Sequence, residues 1–364
     1  MALNHIITCF NSFDKDQDGG INLEEFRLIC QGLFRNDRGI FYTVAPEKLK
    51  IMLGIFDKNL TGALEFEEFM FCWYNWFKYI IHPRSVCIVV NMQNDYLNGV
   101  MALAATGFAE AAAAAAAANP GQGETEEVVK QDQKPVNIID TINQIIGCDF
   151  EHIYYVMDHH PSNHISFIDN LSLRPLHPAS KVSEEDAKLY DTVVFALPAP
   201  YTQKLWPKHC VENSWGSELD MDLRISSKGT RIYTGTNAEL DQHSAFRDST
   251  MPVDGSFHQE LSGRNITDVY VVGASLDMCV RATCLDSLSL GYRTVMVEDC
   301  CKVMNPLAVE KAKQDVINKN GVIAQSADVK NMTEGKDRRP EMGYVLAIRL
   351  RDYFKNRETK TEPA

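Results

Sequence analysis

The sequence predicts two units of different class. A small all-α helix–loop–helix pair covers residues 1–80, and an α/β domain on a parallel sheet runs from residue 85 to about 335. Apolar runs of strand length recur at Val86–Val90, Ile153–Met157, Val269–Val272, Arg293–Val297 and Val322–Ala324, each short enough to be a strand buried on both faces. Helix-length stretches separate several of them, and that alternation builds a parallel sheet. Ahead of residue 70, two acidic loops with calcium-loop spacing are flanked by phenylalanines. A chain of 364 residues has material for two cores.

In the first loop, Asp14, Asp16 and Asp18 supply carboxylates, Gly20 a backbone carbonyl, Asn22 a direct or water-mediated contact and Glu25 a closing bidentate carboxylate. Gly19 permits the sharp turn, and Ile21 is expected to join a short strand pairing with the partner loop. The partner loop keeps the spacing with Asp57, Asn59, Thr61, Ala63, Glu65 and Glu68, but Asn59 and Thr61 replace two carboxylates. Weaker calcium binding, or a purely structural loop, is the expectation there. The unit resembles an EF-hand pair.

A formal net charge of −13 argues against nucleic acid as a partner and suits cation-binding carboxylates. The ten cysteines show no paired spacing, so a reducing, cytoplasmic setting is expected. Met1 to His5 lacks the basic-then-apolar pattern of a secretory signal, and no apolar run reaches membrane-spanning length. Residues 102–130, with eight consecutive alanines, read as a surface insertion without chemistry. After it, Pro135 is expected to open an amphipathic helix carrying Ile138, Ile139, Ile142, Ile145 and Ile146. The segment 336–364 reads as a charged tail with a helix at 344–354 that covers a subunit contact in a homo-oligomer.

Asp268 to Cys279 organises the second unit: an apolar strand, a small-residue turn at Gly273-Ala274-Ser275, then a helix entered at Asp277-Met278-Cys279. Open α/β sheets place their sites at such a turn. A thiol in the first helical turn sits near unpaired N–H groups and the positive end of the helix dipole, which favours the thiolate. Read alone, Cys279 is more readily a buried structural cysteine than a nucleophile.

The strand ending at Met157 runs into Asp158-His-His160-Pro-Ser-Asn-His164, and Trp206-Pro-Lys-His209 follows downstream. Asp158 and His160 alternate to one side of an extended strand end, so carboxylate and imidazole can share an ion. His209 completes a facial set with open positions, and His164 is a further candidate, either as a ligand or as a group that positions water at the metal.

Taken together, Asn91-Met-Gln-Asn-Asp-Tyr96, Asp158-x-His160-Pro-x-x-His164, Trp206-Pro-x-His209-Cys, Gly235-Thr-Asn237 and Gly273-x-x-x-Asp277-x-Cys279 resemble the nicotinamidases. These belong to the isochorismatase-like cysteine hydrolases, and an EF-hand pair in front is similar to the animal members. The resemblance implies a doubly wound α/β/α sheet and hydrolysis of nicotinamide to nicotinate and ammonia, a step of NAD salvage. It implies Cys279 as nucleophile, backbone N–H groups near Ser275 and Cys279 as oxyanion hole, and a cis peptide before Ser275. It further implies a divalent metal (zinc, or manganese or iron) at Asp158, His160 and His209 to hold the pyridine nitrogen, with Tyr96 and Trp206 on the ring faces.

Two positions depart from that pattern. The family activates its nucleophile with an Asp and a Lys, whereas this chain carries Asn91 and Thr234 there. Asn91 keeps the shape but takes up no proton at neutral pH, and Thr234 brings only a neutral hydroxyl. Swapping both removes opposite charges together, which is compatible with a stable pocket. Arg231 is expected on the opposite strand face, His159 to face away, and His243 to require a loop excursion, so no replacement base is found. Three readings stand: a working nicotinamidase with unusual activation, a calcium-binding pseudoenzyme that retains metal and pyridine binding, and a hydrolase with a shifted substrate. Impaired chemistry is the favoured expectation.

Overall fold

The computed structural model describes residues 2–107, 137–247 and 255–361, side chains from residue 352 onward excepted. Most of the alanine-rich tract and Pro135 lie outside the described residues. Residues 102–107, at its start, are helical, with Ala104 buried and Leu103, Thr106 and Gly107 exposed.

Helices α1 (Ala2–Phe13), α2 (Leu23–Leu33), α3 (Pro46–Phe56) and α4 (Phe66–Cys72) form the amino-terminal unit, with α4 continuing through a π-helical turn (Trp73–Phe77) into Lys78–Ile81. Asn22 caps α2 by accepting from the N–H groups of Glu24 and Glu25, while Glu25 reaches back to Asn22, a capping box. The expected pairing is present: β1 (Gly20–Ile21) runs antiparallel to β2 (Leu64–Glu65), with Ile21 opposite Leu64. The core closes around Trp76, whose ring lies 5.9 Å from Phe26 and 5.0 Å from Phe56.

The second unit holds a six-stranded parallel sheet. Its strands are β3 (Ser85–Val90), β4 (His152–Asp158), β7 (Gly229–Thr234), β8 (Asp268–Ala274), β9 (Arg293–Lys302) and β10 (Val322–Ala324), in the order β10-β9-β8-β3-β4-β7. A small antiparallel pair, β5 (Thr192–Phe195) and β6 (Tyr201–Lys204), stands apart. Because successive strand residues point to opposite faces, β3 sends Val86, Ile88 and Val90 into one core and Cys87 and Val89 into the other. The first core is covered by α6 (Ser256–Gly263), α7 (Arg281–Ser289) and α8 (Val309–Asn318), through Leu261, Leu288 and Val316. The second is covered by α5 (Ile138–Ile145) and α9 (Ser326–Thr333), through Ile142, Ile145 and Met332. Helices on both faces make the doubly wound arrangement.

The carboxyl-terminal segment is not an appended tail. Helix α10 (Pro340–Thr361) is longer than expected and buries Leu346 and Ala347 in the helical unit's core. From the same helix Val345 joins one core of the sheet and Met342 the other, so α10 covers this chain's own surface. Among the described residues, no helix is long and apolar enough to cross a membrane.

Candidate active site

Three neighbouring strands end in polar residues at the sheet's carboxyl edge. Asp158 closes β4 and lies opposite Thr234, the last residue of β7; Asn91 follows β3 and donates its N–H to Val156 O at 2.8 Å. Gln93 clamps the end of β4, donating to Asp158 O at 2.7 Å and accepting from Asp158 N–H at 2.9 Å. The Asp158 carboxylate is then surrounded by donors. Asn91 Nδ2 (2.9 Å) and the Tyr96 hydroxyl (2.7 Å) reach Oδ2, and the Thr234 hydroxyl reaches Oδ1 at 3.1 Å. Asn91 and Thr234 thus both serve Asp158. Asn91 Oδ1 is buried without a hydrogen-bond partner.

His160 and His209 converge on the same carboxylate, and one ligand atom from each of the three residues lies within 4.8 Å of the others. Each imidazole is aimed by its Nδ1, which meets Gly235 O at 2.9 Å in His160 and Pro207 O at 2.8 Å in His209. That fixes the tautomer and leaves Nε2 toward the cluster. Gly235, at φ +64°, is required here, because a Cβ would stand 2.3 Å from the His160 ring. The segment carrying His209 is lashed down by Asp95, which accepts Cys210 N–H at 2.7 Å, and by Cys210 O, which accepts His160 N–H at 3.0 Å. Burial, with His160 alongside, pushes the His209 imidazole down to about 4, so it is neutral and ready to ligate. Two imidazoles aimed by their Nδ1 atoms and a carboxyl group beside them fit a divalent transition metal.

His164 is not part of this set. Its Nδ1 pairs with Ser166 Oγ at 2.7 Å and its Nε2 with Leu240 O at 3.2 Å, leaving neither nitrogen for an ion. Burial, followed by the neighbouring His160, pushes it down to about 4.

Cys279 approaches from β8 through the turn that includes Gly273 (φ +117°), where a Cβ would strike Val90 O at 2.0 Å. The Ala274–Ser275 peptide is cis, as expected. Cys279 lies in a π-helical turn, Leu276–Val280, ahead of α7. Asp277 ties that turn to the loop after β9 by accepting Met304 N–H at 2.9 Å. The expected lowering of the thiol pKa does not occur. Burial pushes it well above its ordinary value and the charges of Asp158 and Asp241 add to this, against hydrogen bonds from Tyr96 and the Ser275 backbone. A helix-end dipole is worth at most a few kcal/mol even when partly buried, and desolvation next to two carboxylates outweighs it. Tyr96, Trp206, Met101, Met278 and Met304 wall a narrow cavity between Cys279 and the metal-ligand set, with Ser275 at its side.

The loop excursion denied to His243 is made. After Gly235 the chain follows the His164 segment, with Ile165 N–H donating to Ala238 O at 2.7 Å and Gln203 Nε2 donating to Asp241 Oδ2 at 2.6 Å. It then turns back to α7, where Ala245 N–H donates to Thr283 Oγ1 at 3.1 Å. His243 is thereby set on the cavity wall, its Nδ1 4.0 Å from Cys279 Sγ and its Nε2 3.8 Å from Asp241 Oδ2. Sequence reasoning weighed His243 and set it aside, and missed Asp241; the signal for the pair was the polar run Asp241-Gln-His243-Ser244 following the Gly235 turn. Arg231 is exposed on β7 and His159 packs on Tyr233 at 4.7 Å, away from the thiol, as expected.

In the first EF-hand loop, ligand atoms of Asp14, Asp16 and Asp18 lie within 4.8 Å of one another, and Asp14 Oδ1 is buried without a partner, an opening suited to a cation. The second loop repeats the internal hydrogen bonds of the first, in which Asp14 accepts from Gly19 N–H and Glu25 from Lys15 and Asn22 N–H. Asp57 accepts from Thr61 and Gly62 N–H groups, Glu68 from Lys58 and Glu65, and the Thr61 hydroxyl donates to Ala63 O at 3.1 Å.

The site thus combines a buried thiol with an Asp-His-His set at the carboxyl edge of a doubly wound sheet. Residues 186–328 match the isochorismatase domain model and residues 3–73 the EF-hand domain pair model. The nicotinamidase of Saccharomyces cerevisiae is 28% identical over 239 residues, covering 63% of this chain and 94% of that protein. The nicotinamidase of Acinetobacter baylyi is 32% identical over 170 residues, 46% of this chain and 71% of that protein. A solved Acinetobacter baumanii nicotinamidase/pyrazinamidase is 30% identical, covers 68% of this chain and 98% of its own, and superposes with a TM-score of 0.49. The chain belongs to the isochorismatase-like hydrolase family, with nicotinamidases as its relatives and an EF-hand pair at its amino-terminal end.

Proposed function

We propose that this chain is an amidohydrolase for a small pyridine carboxamide, with nicotinamide as the leading substrate, working through a thioester on Cys279. In the cytoplasm such a reaction would feed pyridine-nucleotide salvage. One observation carries the reading: Cys279 and the Asp158–His160–His209 set line one narrow cavity. Sulfur adds to the amide carbon, the C–N bond breaks as the nitrogen gains a proton and leaves as ammonia, and water then cleaves the thioester to the carboxylate. The backbone at Ser275 is placed beside the thiol to stabilise the developing oxyanion. A divalent transition metal held by Asp158, His160 and His209 would supply a Lewis-acid contact that orients the ring nitrogen. Tyr96 and Trp206 form aromatic walls for the ring. Calcium belongs to the Asp14–Glu25 loop, with a weaker site or none at Asp57–Glu68.

Turnover is slower than in relatives that keep the Asp and Lys, since neither Asn91 nor Thr234 moves a proton. A binding-only role is the second reading, favoured by the raised thiol pKa and by the commitment of both substituted residues to Asp158. Ammonia release from nicotinamide by metal-supplied protein decides between them. Slow release that vanishes in Cys279→Ala is expected, and Asn91→Asp with Thr234→Lys should raise kcat/KM by roughly tenfold or more. No release from the unaltered protein and an inert double variant would leave only the binding role.

A further inference from the structure

We propose that His243, oriented by Asp241, is the acid–base group for Cys279, taking the place of the carboxylate lost at position 91. The inference rests on the thioester reading above. The geometry is that of a nucleophile, a base and an orienting carboxylate in series. Sγ stands 4.0 Å from Nδ1, and the opposite ring nitrogen, Nε2, stands 3.8 Å from Asp241 Oδ2. One imidazole nitrogen faces the proton to be removed, while the other faces the anion that stabilises the imidazolium formed. The separations are longer than closed hydrogen bonds, as is common before a substrate tightens the site.

Asp241 is built for the orienting part. Burial pushes its carboxyl up, yet His243 and the Gln203 hydrogen bond together hold it below its ordinary value, so it is ionised. Gln203, on β6, and the Tyr201 hydroxyl, which reaches Asp241 O at 3.3 Å, fix the loop from one side. Thr283 and the Arg247–Asp286 pair on α7 fix it from the other, so His243 is held between two anchored points. His243 keeps about a third of its surface exposed and lines the cavity, which gives the proton a route to solvent.

The proton account closes. His243 Nδ1 takes the thiol proton as sulfur bonds to the amide carbon. The imidazolium returns that proton to the nitrogen as the C–N bond breaks and ammonia leaves. His243 then accepts a proton from the water that attacks the thioester and gives it to sulfur as the C–S bond breaks. His243 is a catalytic residue because it faces the reacting sulfur; Asp241 is a positioning residue.

The test uses the full chain and two readouts. The first is the rate of Cys279 carbamidomethylation by iodoacetamide at neutral pH, followed at peptide level because Cys9, Cys148 and Cys301 are also partly accessible. His243→Ala and His243→Gln are each expected to slow it by roughly ten- to a hundredfold, and Asp241→Asn by less, with thermal melting showing that the variants are folded. Added imidazole should restore the Ala variant, whose side-chain space is open, but neither the Gln variant nor, beyond its starting rate, the unaltered protein. The second readout is ammonia release from nicotinamide. His243-dependent alkylation without nicotinamide turnover would sink the substrate reading and sustain the triad. Cys279-dependent turnover, with alkylation and kcat unchanged in His243→Ala, would overturn the triad and leave the substrate reading intact.

Discussion

Asp158 shows how a buried carboxylate is held by neutral donors. Asn91 and Thr234 add to the hydrogen bond that Tyr96 makes, so three uncharged side chains together fix the carboxylate. The cost is Asn91 Oδ1, left buried and unpaired, a penalty of about 1–3 kcal/mol. The histidines nearby carry a second consequence. Burial holds both His164 and His209 neutral down to about pH 4, whereas an unfolded histidine takes its proton near 6.5. Between those values the unfolded chain binds more protons, so unfolding free energy rises with pH. The contribution is complete above about 6.5 and is lost as pH falls toward 4. Each histidine is worth up to on the order of 3 kcal/mol over that window. Urea unfolding of the metal-free protein should therefore show a markedly lower midpoint at pH 4.5 than at pH 7, with a flatter dependence in His164→Gln. An unchanged midpoint would mean that His164 and His209 are protonated in the folded state.

Elements that end at the sheet's carboxyl edge were legible because their signals are local. An apolar run followed by Asp158-x-His160, or by Gly273 through Cys279, places its side chains by strand alternation and turn chemistry, and the structure assembles those residues. What escaped depends on chain that returns from far away. His243 meets Cys279 only because the loop after β7 is pinned to the His164 segment, to β6 and to α7, contacts that no periodicity encodes. The direction of the thiol pKa was misread for the same reason: the helix-end rule is local, whereas Asp158 and Asp241 arrive from other elements. His164 was overcounted because an imidazole after a metal-like pair gives no sequence sign that Ser166 and Leu240 will occupy it. The EF-hand loops, by contrast, are short enough to be read residue by residue. Titration calorimetry should show one dominant calcium event, weakened by roughly tenfold or more in Glu25→Gln and nearly unchanged in Glu68→Gln. Equal losses from the two variants would mean that the second loop binds as well as the first, despite Asn59 and Thr61.

Across the whole molecule, α10 makes the two units one structure. Its Leu346 and Ala347 complete the helical core around Trp76, and Trp76 Nε1 donates to Gly343 O at 2.8 Å. Further ties run between the units: the Tyr42 hydroxyl to Asp337 at 2.8 Å, Lys48 to Asn320 at 2.7 Å, and Arg293 to Tyr79 O at 2.8 Å. Arg293 also pairs with the buried Asp268 at the start of β8, which links this contact to the strand that leads to Cys279. Gly343 is a tight point of the seam, since a Cβ there would stand 2.3 Å from Phe34 Cε1. A Val side chain forces Phe34 or α10 to move, at about 1–3 kcal/mol, and the loss falls on the seam and leaves both sheet faces intact. The unaltered chain is expected to melt in a single calorimetric transition. Gly343→Val should split off an earlier transition for the helical unit and open residues 78–85 to proteolysis, with the sheet's own transition little changed. A single transition at the original temperature in the variant would show that the units are held together elsewhere than along α10.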